Sequence, residues 1–134
     1  MRAKSQVNRV PAAAPAVAVD FFQQRMAFET DCWDVHHAIT SECADFVLLD
    51  VRSVELFEQG HVPTAVTLPH SRIDKNTLPP LPDGHIYVVY CAGPHCNGAN
   101  KGALKIASLG LPVKEMIGGV EGWKDEGFQL ATGD

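Results

Sequence analysis

No stretch of this 134-residue chain approaches the roughly 20 consecutive apolar residues of a membrane helix. That absence excludes a helical span and sets the expectation of no membrane partner. Positive charge is also scarce: 11 Lys and Arg stand against 16 Asp and Glu, for a net charge of −5. A surface of that sign argues against nucleic acid or an acidic membrane as the main partner. No internal repeat is visible. No Cys-x-x-Cys or His-x-x-x-His pair is present, so a zinc site would lack most of its ligands, and neither metal nor cofactor is expected. The four cysteines, at 32, 43, 91 and 96, are not spaced like a small stapled scaffold. A chain that is 46% apolar needs no staples, so reduced thiols in a cytoplasmic protein are expected.

What is present begins with an Ala/Pro-rich start. Arg2, Lys4 and Arg9 precede Pro11 to Val19, and Ala14-Pro15-Ala16 resembles a cleavage site. The apolar part is short, has no leucine and holds two prolines, which reads as a disordered arm over 1–19 rather than a signal peptide. A single domain is expected over 20–134, a length sufficient for one core. Within it, Phe21 to Met26 reads as a short helix and Phe28-Glu29-Thr30 as an edge strand. Asp31 caps a helix over about Cys32 to Ile39. Phe46 to Val51 is an apolar strand, and Ser53 caps a helix from Val54 to Gln59 that Gly60 stops. Ala65 to Leu68 is a short strand. Residues 69 to 85 hold four prolines and read as a long connection with one helical turn near Ile73. Ile86 to Tyr90 is a second apolar strand, Ala99 to Leu109 a helix, Val113 to Ile117 a last strand, and Val120 to Glu126 a terminal helix. Alternating strands and helices, with strands apolar on both faces, predict an α/β fold: a parallel sheet with helices on both faces.

Against that pattern, Cys91 stands out. It closes Ile86-Tyr87-Val88-Val89-Tyr90 and opens Cys91-Ala92-Gly93-Pro94-His95-Cys96-Asn97-Gly98, before the next helix. Loop N–H groups and a helix N-terminus both stabilise negative charge, and the thiolate is the reactive form of cysteine. Cys91 is therefore expected to ionise below the free-cysteine value of about 8.5. A cysteine that merely ends a core strand is the plainer reading. Ligands in open parallel sheets, however, bind outside the carboxyl ends of strands, where Cys91 lies.

Three segments together resemble the rhodanese (sulfurtransferase) domain family. The first is Asp50-Val51-Arg52-Ser53 with Glu55-Leu56-Phe57 and Gly60-His61-Val62-Pro63-Thr64-Ala65. The second is the loop opening at Cys91. The third is Ile117-Gly118-Gly119-Val120-Glu121-Gly122-Trp123. Their order and spacing fit the family from about Thr30 to Phe128. Thr64 stands where the family usually has glycine, the loop is poor in basic residues, and Cys96 adds a second thiol. The resemblance implies a sulfurtransferase, of the thiosulfate sulfurtransferase type, in which Cys91 carries a sulfane sulfur as a persulfide. Its partners would be a small-molecule sulfur donor and a thiol or cyanide acceptor, or a protein persulfide. The backbone of Ala92, Gly93, His95, Cys96 and Asn97 would cradle the anion, Pro94 having no N–H. Asp50 and Arg52 would support the loop.

Other readings stand beside this one. His95 and Cys96 either turn the loop and cap the helix, or Cys96 resolves a Cys91 persulfide, or Cys91, His95 and Cys96 ligate zinc; the turn is favoured. A loop that aims its N–H groups at an anion points side chains outward, so Cys96 is expected to face away from the Cys91 sulfur. Cys32 and His36 share a helix face, as a metal pair would, but core packing fits them better. Cys43 has no chemical context. His61 looks like the family's turn histidine; His37, His70 and His85 are expected in solvent. Trp123 either walls the site or packs in the core, and Lys101 either faces solvent or draws in an anion. The phosphatases and arsenate reductases that share this fold need a Cys-x5-Arg loop. Asn97 occupies the sixth position after Cys91, and no arginine follows, which argues against phosphoryl chemistry. A non-catalytic docking or regulatory module, or a dithiol redox protein, remains the alternative function.

Overall fold

A computed structural model of the chain describes residues 3–133. Its elements run α1 (Pro15–Phe28), β1 (Glu29–Thr30), α2 (Cys32–Thr40), β2 (Phe46–Asp50), α3 (Val54–Gln59), β3 (Val66–Thr67), β4 (Ile86–Tyr90), α4 (Gly98–Ser108), β5 (Val113–Met116) and α5 (Gly119–Asp125). The strands form one sheet in the order β1-β5-β4-β2-β3, and each adjacent pair is parallel. The expected α/β architecture is therefore the observed one. β4 lies at the centre, paired residue for residue with β2 from Phe46–Ile86 to Asp50–Tyr90.

Strand side chains alternate between faces, so the continuous apolar runs feed two cores. On one face Leu48, Val88 and Tyr90 pack with Cys32 and Val35 of α2 and with Val120 and Trp123 of α5. On the other, Leu49, Tyr87 and Val89 pack with Ala99 and Ile106 of α4 and with Ile73 of the long connection. Trp123, open to two readings, belongs to the first core: its ring is 1% exposed and Nε1 donates to Gln129 O at 3.0 Å.

Local chemistry sets most element ends. Asp31 accepts from Asp34 N, and Ser53 accepts from Leu56 N, as N-caps do. The expected helical turn appears as a 3-10 turn at His70–Arg72. α1 differs from expectation. It begins at Pro15, inside the segment read as an arm, rather than near Phe21. Proline is suited to a helix's first turn, and the Ala/Val run behind it tolerates helix. None of its residues is buried, and it lies beside β1 and β5. Thr64, the departure from glycine, carries a left-handed φ of 75° on an exposed turn. No helix among the described residues is long and apolar enough to cross a membrane.

Cys32 and His36 serve packing. Cys32 is buried, with Sγ near Ile117 O at 3.6 Å and Gly119 O at 3.5 Å. His36 stacks on Phe128 at 3.7 Å. Burial, with the charges of Asp31 and Glu126 adding, pushes the Cys32 thiol from its ordinary 9.0 up to about 11. Below pH 9 both folded and unfolded chains hold this proton, and the native preference is fully present. Between about 9 and 11 the unfolded chain loses a proton that the native protein keeps, so stability falls as pH rises. We expect this group to remove roughly 2 to 3 kcal/mol across that window. Tyr90, whose hydroxyl is also pushed up, by burial first and then by Asp50, acts in the same direction in both proteins compared. Urea melts below and within the window should show a shallower decline for Cys32→Ala than for wild type. Identical slopes would show that Cys32 is not the group responsible.

Candidate active site

The site forms where β2 and β4 end side by side. Leu68 N donates to Asp50 O at 2.9 Å and His70 N to Val51 O at 3.1 Å, so the segment after β3 crosses the end of β2. Val51 N donates to Tyr90 O at 3.1 Å, tying the exits of β2 and β4 together.

Asp50 and Arg52 are less exposed than a strand-end pair would be. The Asp50 side chain is fully buried and that of Arg52 is 7% exposed. Arg52 grips the carboxylate with Nε at 3.0 Å and Nη2 at 2.7 Å, and Nη2 also donates to Gly60 O at 2.6 Å. Tyr90 O–H donates to Asp50 Oδ2 at 2.8 Å and accepts from Val62 N at 3.0 Å. Burial works to lower the Arg52 pKa; the Asp50 hydrogen bond and charge outweigh it and raise it. Arg52 thus stays charged. Tyr90, next in chain to Cys91, is pinned through Asp50. Sequence reasoning named Asp50 and Arg52 but missed Tyr90; its place directly before Cys91 was the available signal.

Cys91 is 6% exposed at the exit of β4. Its carbonyl accepts from Val120 N at 3.1 Å, and that of Ala92 from Glu121 N at 2.8 Å. The turn before α5 therefore packs backbone on backbone against the loop. Gly119, at φ 58°, has no room for a side chain. A Cβ there would overlap the Cys91 carbonyl oxygen and lie 2.9 Å from Ala92 C and from Gly93 N. Gly93 is closely packed but less tight, with the side-chain atom Glu121 Cγ 3.1 Å from where its Cβ would be.

Cys96 overturns an expectation. Its side chain does not face away: Cys91 and Cys96 are joined as a disulfide, with Cα atoms 6.4 Å apart. The expectation of four reduced thiols therefore holds only for Cys32 and Cys43, which are free. The physical reason is a tight turn. Cys96 N–H donates to Gly93 O at 3.0 Å, which reverses the chain at Pro94-His95 and returns Cys96 over Cys91. That bond also removes the Cys96 amide from the set expected to face an anion. His95 and Pro94 are exposed at the tip. Asn97 occupies the N-cap of α4 without a side-chain capping bond.

Around the sulfurs is a cavity of about 380 Å³ lined by Arg52, Leu56, Pro69, His70, Cys91, Ala92, Cys96, Asn97 and Gly98, among others. His70, expected in solvent, is a wall of it. The proline-rich connection gave no sign of this, since only the crossing of β2 by that segment brings His70 here. Its carbonyl is held by Lys105 Nζ at 2.9 Å. His85 is partly covered beside Asp83, His37 is exposed on Trp33, and Lys101 is exposed on α4. His61 is buried, with Nδ1 2.8 Å from Phe57 O, a turn role. Cys43 is exposed. Among the described residues no group of three or more His, Cys, Asp or Glu is placed to hold a metal ion. A further cavity of about 200 Å³ lies at the first residues of β2 and β4, the opposite end of the strands from Cys91, and has no cysteine or histidine in its lining.

Comparison with known proteins agrees with this geometry. The family model described as the rhodanese-like domain matches residues 34–126. The chain is 29% identical over 99 residues to the HTH-type transcriptional regulator Rv0324 of Mycobacterium tuberculosis, covering 69% of this chain and 43% of that protein. It thus spans less than half the length of the curated relative it matches. Among solved structures, the BH2092 protein of Bacillus halodurans is 35% identical with a TM-score of 0.84, covering 89% of this chain and 87% of that one. A thiosulfate sulfurtransferase of Pseudomonas aeruginosa shares the fold at 22% identity and a TM-score of 0.67, covering 84% of this chain and 21% of that one.

Two stability measurements test the architecture. Gly119→Ala should cost at least about 2 kcal/mol, from a left-handed backbone and the clash with the loop. Gly110→Ala, at φ 80° with open space around it, should cost about 1 kcal/mol from the backbone alone. Equal costs in urea unfolding would show that the loop does not rest on Gly119. Asp50→Asn leaves the Arg52 charge buried without its partner and should cost about 3 kcal/mol or more; Asp50→Asn combined with Arg52→Met should recover most of it. A double variant as unstable as Asp50→Asn would assign the loss to Tyr90 instead.

Proposed function

The chain belongs to the rhodanese-like domain family, and from that premise we propose that it is a sulfurtransferase using Cys91 as nucleophile and persulfide carrier. The observation that carries the reading is the position of Cys91. It sits at the exit of the central strand, at the floor of a cavity of about 380 Å³, beside the N-terminus of α4. That setting favours a thiolate.

The reduced Cys91 thiolate attacks the outer sulfur of a donor such as thiosulfate. The new bond joins Cys91 Sγ to that sulfur, and sulfite leaves with the electrons of the broken S–S bond. The persulfide then gives its outer sulfur to cyanide or a thiol, and Cys91 is restored as thiolate. Two half-reactions through one carrier predict ping-pong kinetics. The amides of Ala92, Gly93, His95 and Asn97 are the candidate cradle for the negative charge, and Arg52 is among the residues that line the same cavity. Asp50 and Tyr90 position the strand exit without touching the reacting atoms. A small-molecule donor or a protein persulfide, with a thiol acceptor, completes the reaction, and a reducing cytoplasm supplies such thiols.

The similarity to a transcriptional regulator supports a second reading, a sensing or docking module in a longer protein. The two separate on turnover. With pre-reduced protein, thiosulfate or glutathione persulfide as donor and cyanide as acceptor, wild type should turn over. Cys91→Ser should lose at least about a thousandfold in rate while keeping its circular dichroism and melting temperature. Persulfide-dependent turnover surviving in a folded Cys91→Ser protein would sink the assignment, and a wild type that loads sulfur on Cys91 without passing it on would favour the sensing module.

A further inference from the structure

The proposed reaction needs one cysteine, and this loop holds two, in contact. Cys91 and Cys96 are paired, and their Cα separation of 6.4 Å lies within the 4.4–6.8 Å that a disulfide requires. The arrangement is built into the backbone. The Gly93–Cys96 turn brings the second thiol back, and Gly98 leaves space for both sulfurs. A Cβ at Gly98 would lie 2.8 Å from Cys91 Sγ and 3.4 Å from Cys96 Sγ. The other cysteines are excluded as partners: Cys32 is buried under the Ile117–Gly119 turn and Cys43 is exposed beyond α2. Cys96 is only partly buried and lines the same cavity as Cys91, so a small thiol can reach the pair.

We propose that Cys96 is a second catalytic residue, which removes the sulfur from Cys91 as hydrosulfide. The inference rests on the Cys91 persulfide reading above. The Cys96 thiol attacks the inner sulfur, Cys91 Sγ, because that is the atom it meets. The Cys96 Sγ–Cys91 Sγ bond forms and the bond from Cys91 Sγ to the outer sulfur breaks. The outer sulfur leaves with the electron pair and the Cys96 proton, as HS⁻. It is thereby reduced, and the two cysteine sulfurs are oxidised to the disulfide. Two equivalents of a small thiol or one reduced dithiol then reset the pair through ordinary exchange, becoming a disulfide themselves. A chain working this way delivers sulfide and does not require a sulfur acceptor. It consumes the product of a reaction that generates sulfane sulfur, and it must be followed by chemistry that uses or expels sulfide.

The test uses the full chain, reduced, freed of reductant, and given thiosulfate, or separately glutathione persulfide, with no acceptor. Wild type should release about one hydrosulfide per chain, lose two hydrogens in mass, and yield a Cys91–Cys96 linked peptide. Cys96→Ser and Cys96→Ala should instead keep one added sulfur on Cys91. Their sulfide release should slow by at least about tenfold, because the attacking thiol is no longer held beside its target. A wild type that retains the added sulfur as the variants do, with no internal disulfide, would overturn the inference while leaving the persulfide reading intact. If neither variant gains sulfur from either donor, the persulfide reading itself fails, and this step fails with it. Both variants are used so that misfolding of one does not decide the outcome.

Discussion

The loop at Cys91 is held by a place where two stretches of backbone touch with no side chain between them. Val120 and Glu121 amides bind the carbonyls of Cys91 and Ala92, and Gly119 permits the approach because it has neither a Cβ nor a penalty at positive φ. The two carbonyls are thus turned to α5. Since each peptide unit is planar, directing its carbonyl also directs the N–H on its other side. Backbone satisfaction at α5 and the orientation of the loop that opens at Cys91 are one constraint seen from its two ends.

A buried charge pair does comparable work one strand away. Asp50 and Arg52 are withdrawn from solvent, yet between them they reach Gly60 O and, through Tyr90, Val62 N. Every one of those contacts ties the exit of β2 or β4 to the α3–β3 crossing. Buried pairs of this kind contribute less net stability than their geometry suggests, because desolvation opposes the attraction. What they confer here is register: Tyr90 cannot shift without leaving a carboxylate unsatisfied, and Cys91 is the next residue.

Between these two supports the loop has one internal degree of organisation, the Gly93–Cys96 turn, and it decides where the second sulfur lies. A loop wrapped fully around an anion would present one thiol among several amides. This one uses the Cys96 amide to close the turn and brings a second sulfur to the first, over a glycine that leaves both uncovered. The site therefore combines a strand exit beside the N-terminus of α4 with a pair of sulfurs, in a cavity that also includes the His70 wall.

Much of this was legible in the residues. Hydrophobic runs of strand length, caps at Asp31 and Ser53 and the stop at Gly60 gave the element order, because those signals are local and act through hydrogen bonds within a few residues. Alternation of element types gave the parallel sheet, and Cys91 at the exit of an apolar strand marked the site. The misses are of two kinds, local choices with no burial to decide them and contacts made across the fold. α1 starts at Pro15 rather than near Phe21, since neither reading buries anything that could select between them. The His70 wall and the Tyr90 link depend on which strand ends lie side by side. The direction of the Cys96 side chain depends on a single turn hydrogen bond. The sequence by itself determined most of the elements that form and which cysteine stands at the exit of the central strand, because propensity, capping and periodicity are properties of neighbours in the chain. Only the three-dimensional structure decided which groups face that cysteine, because His70 reaches it by packing across some twenty residues and Cys96 by a turn hydrogen bond that its side-chain pattern does not announce.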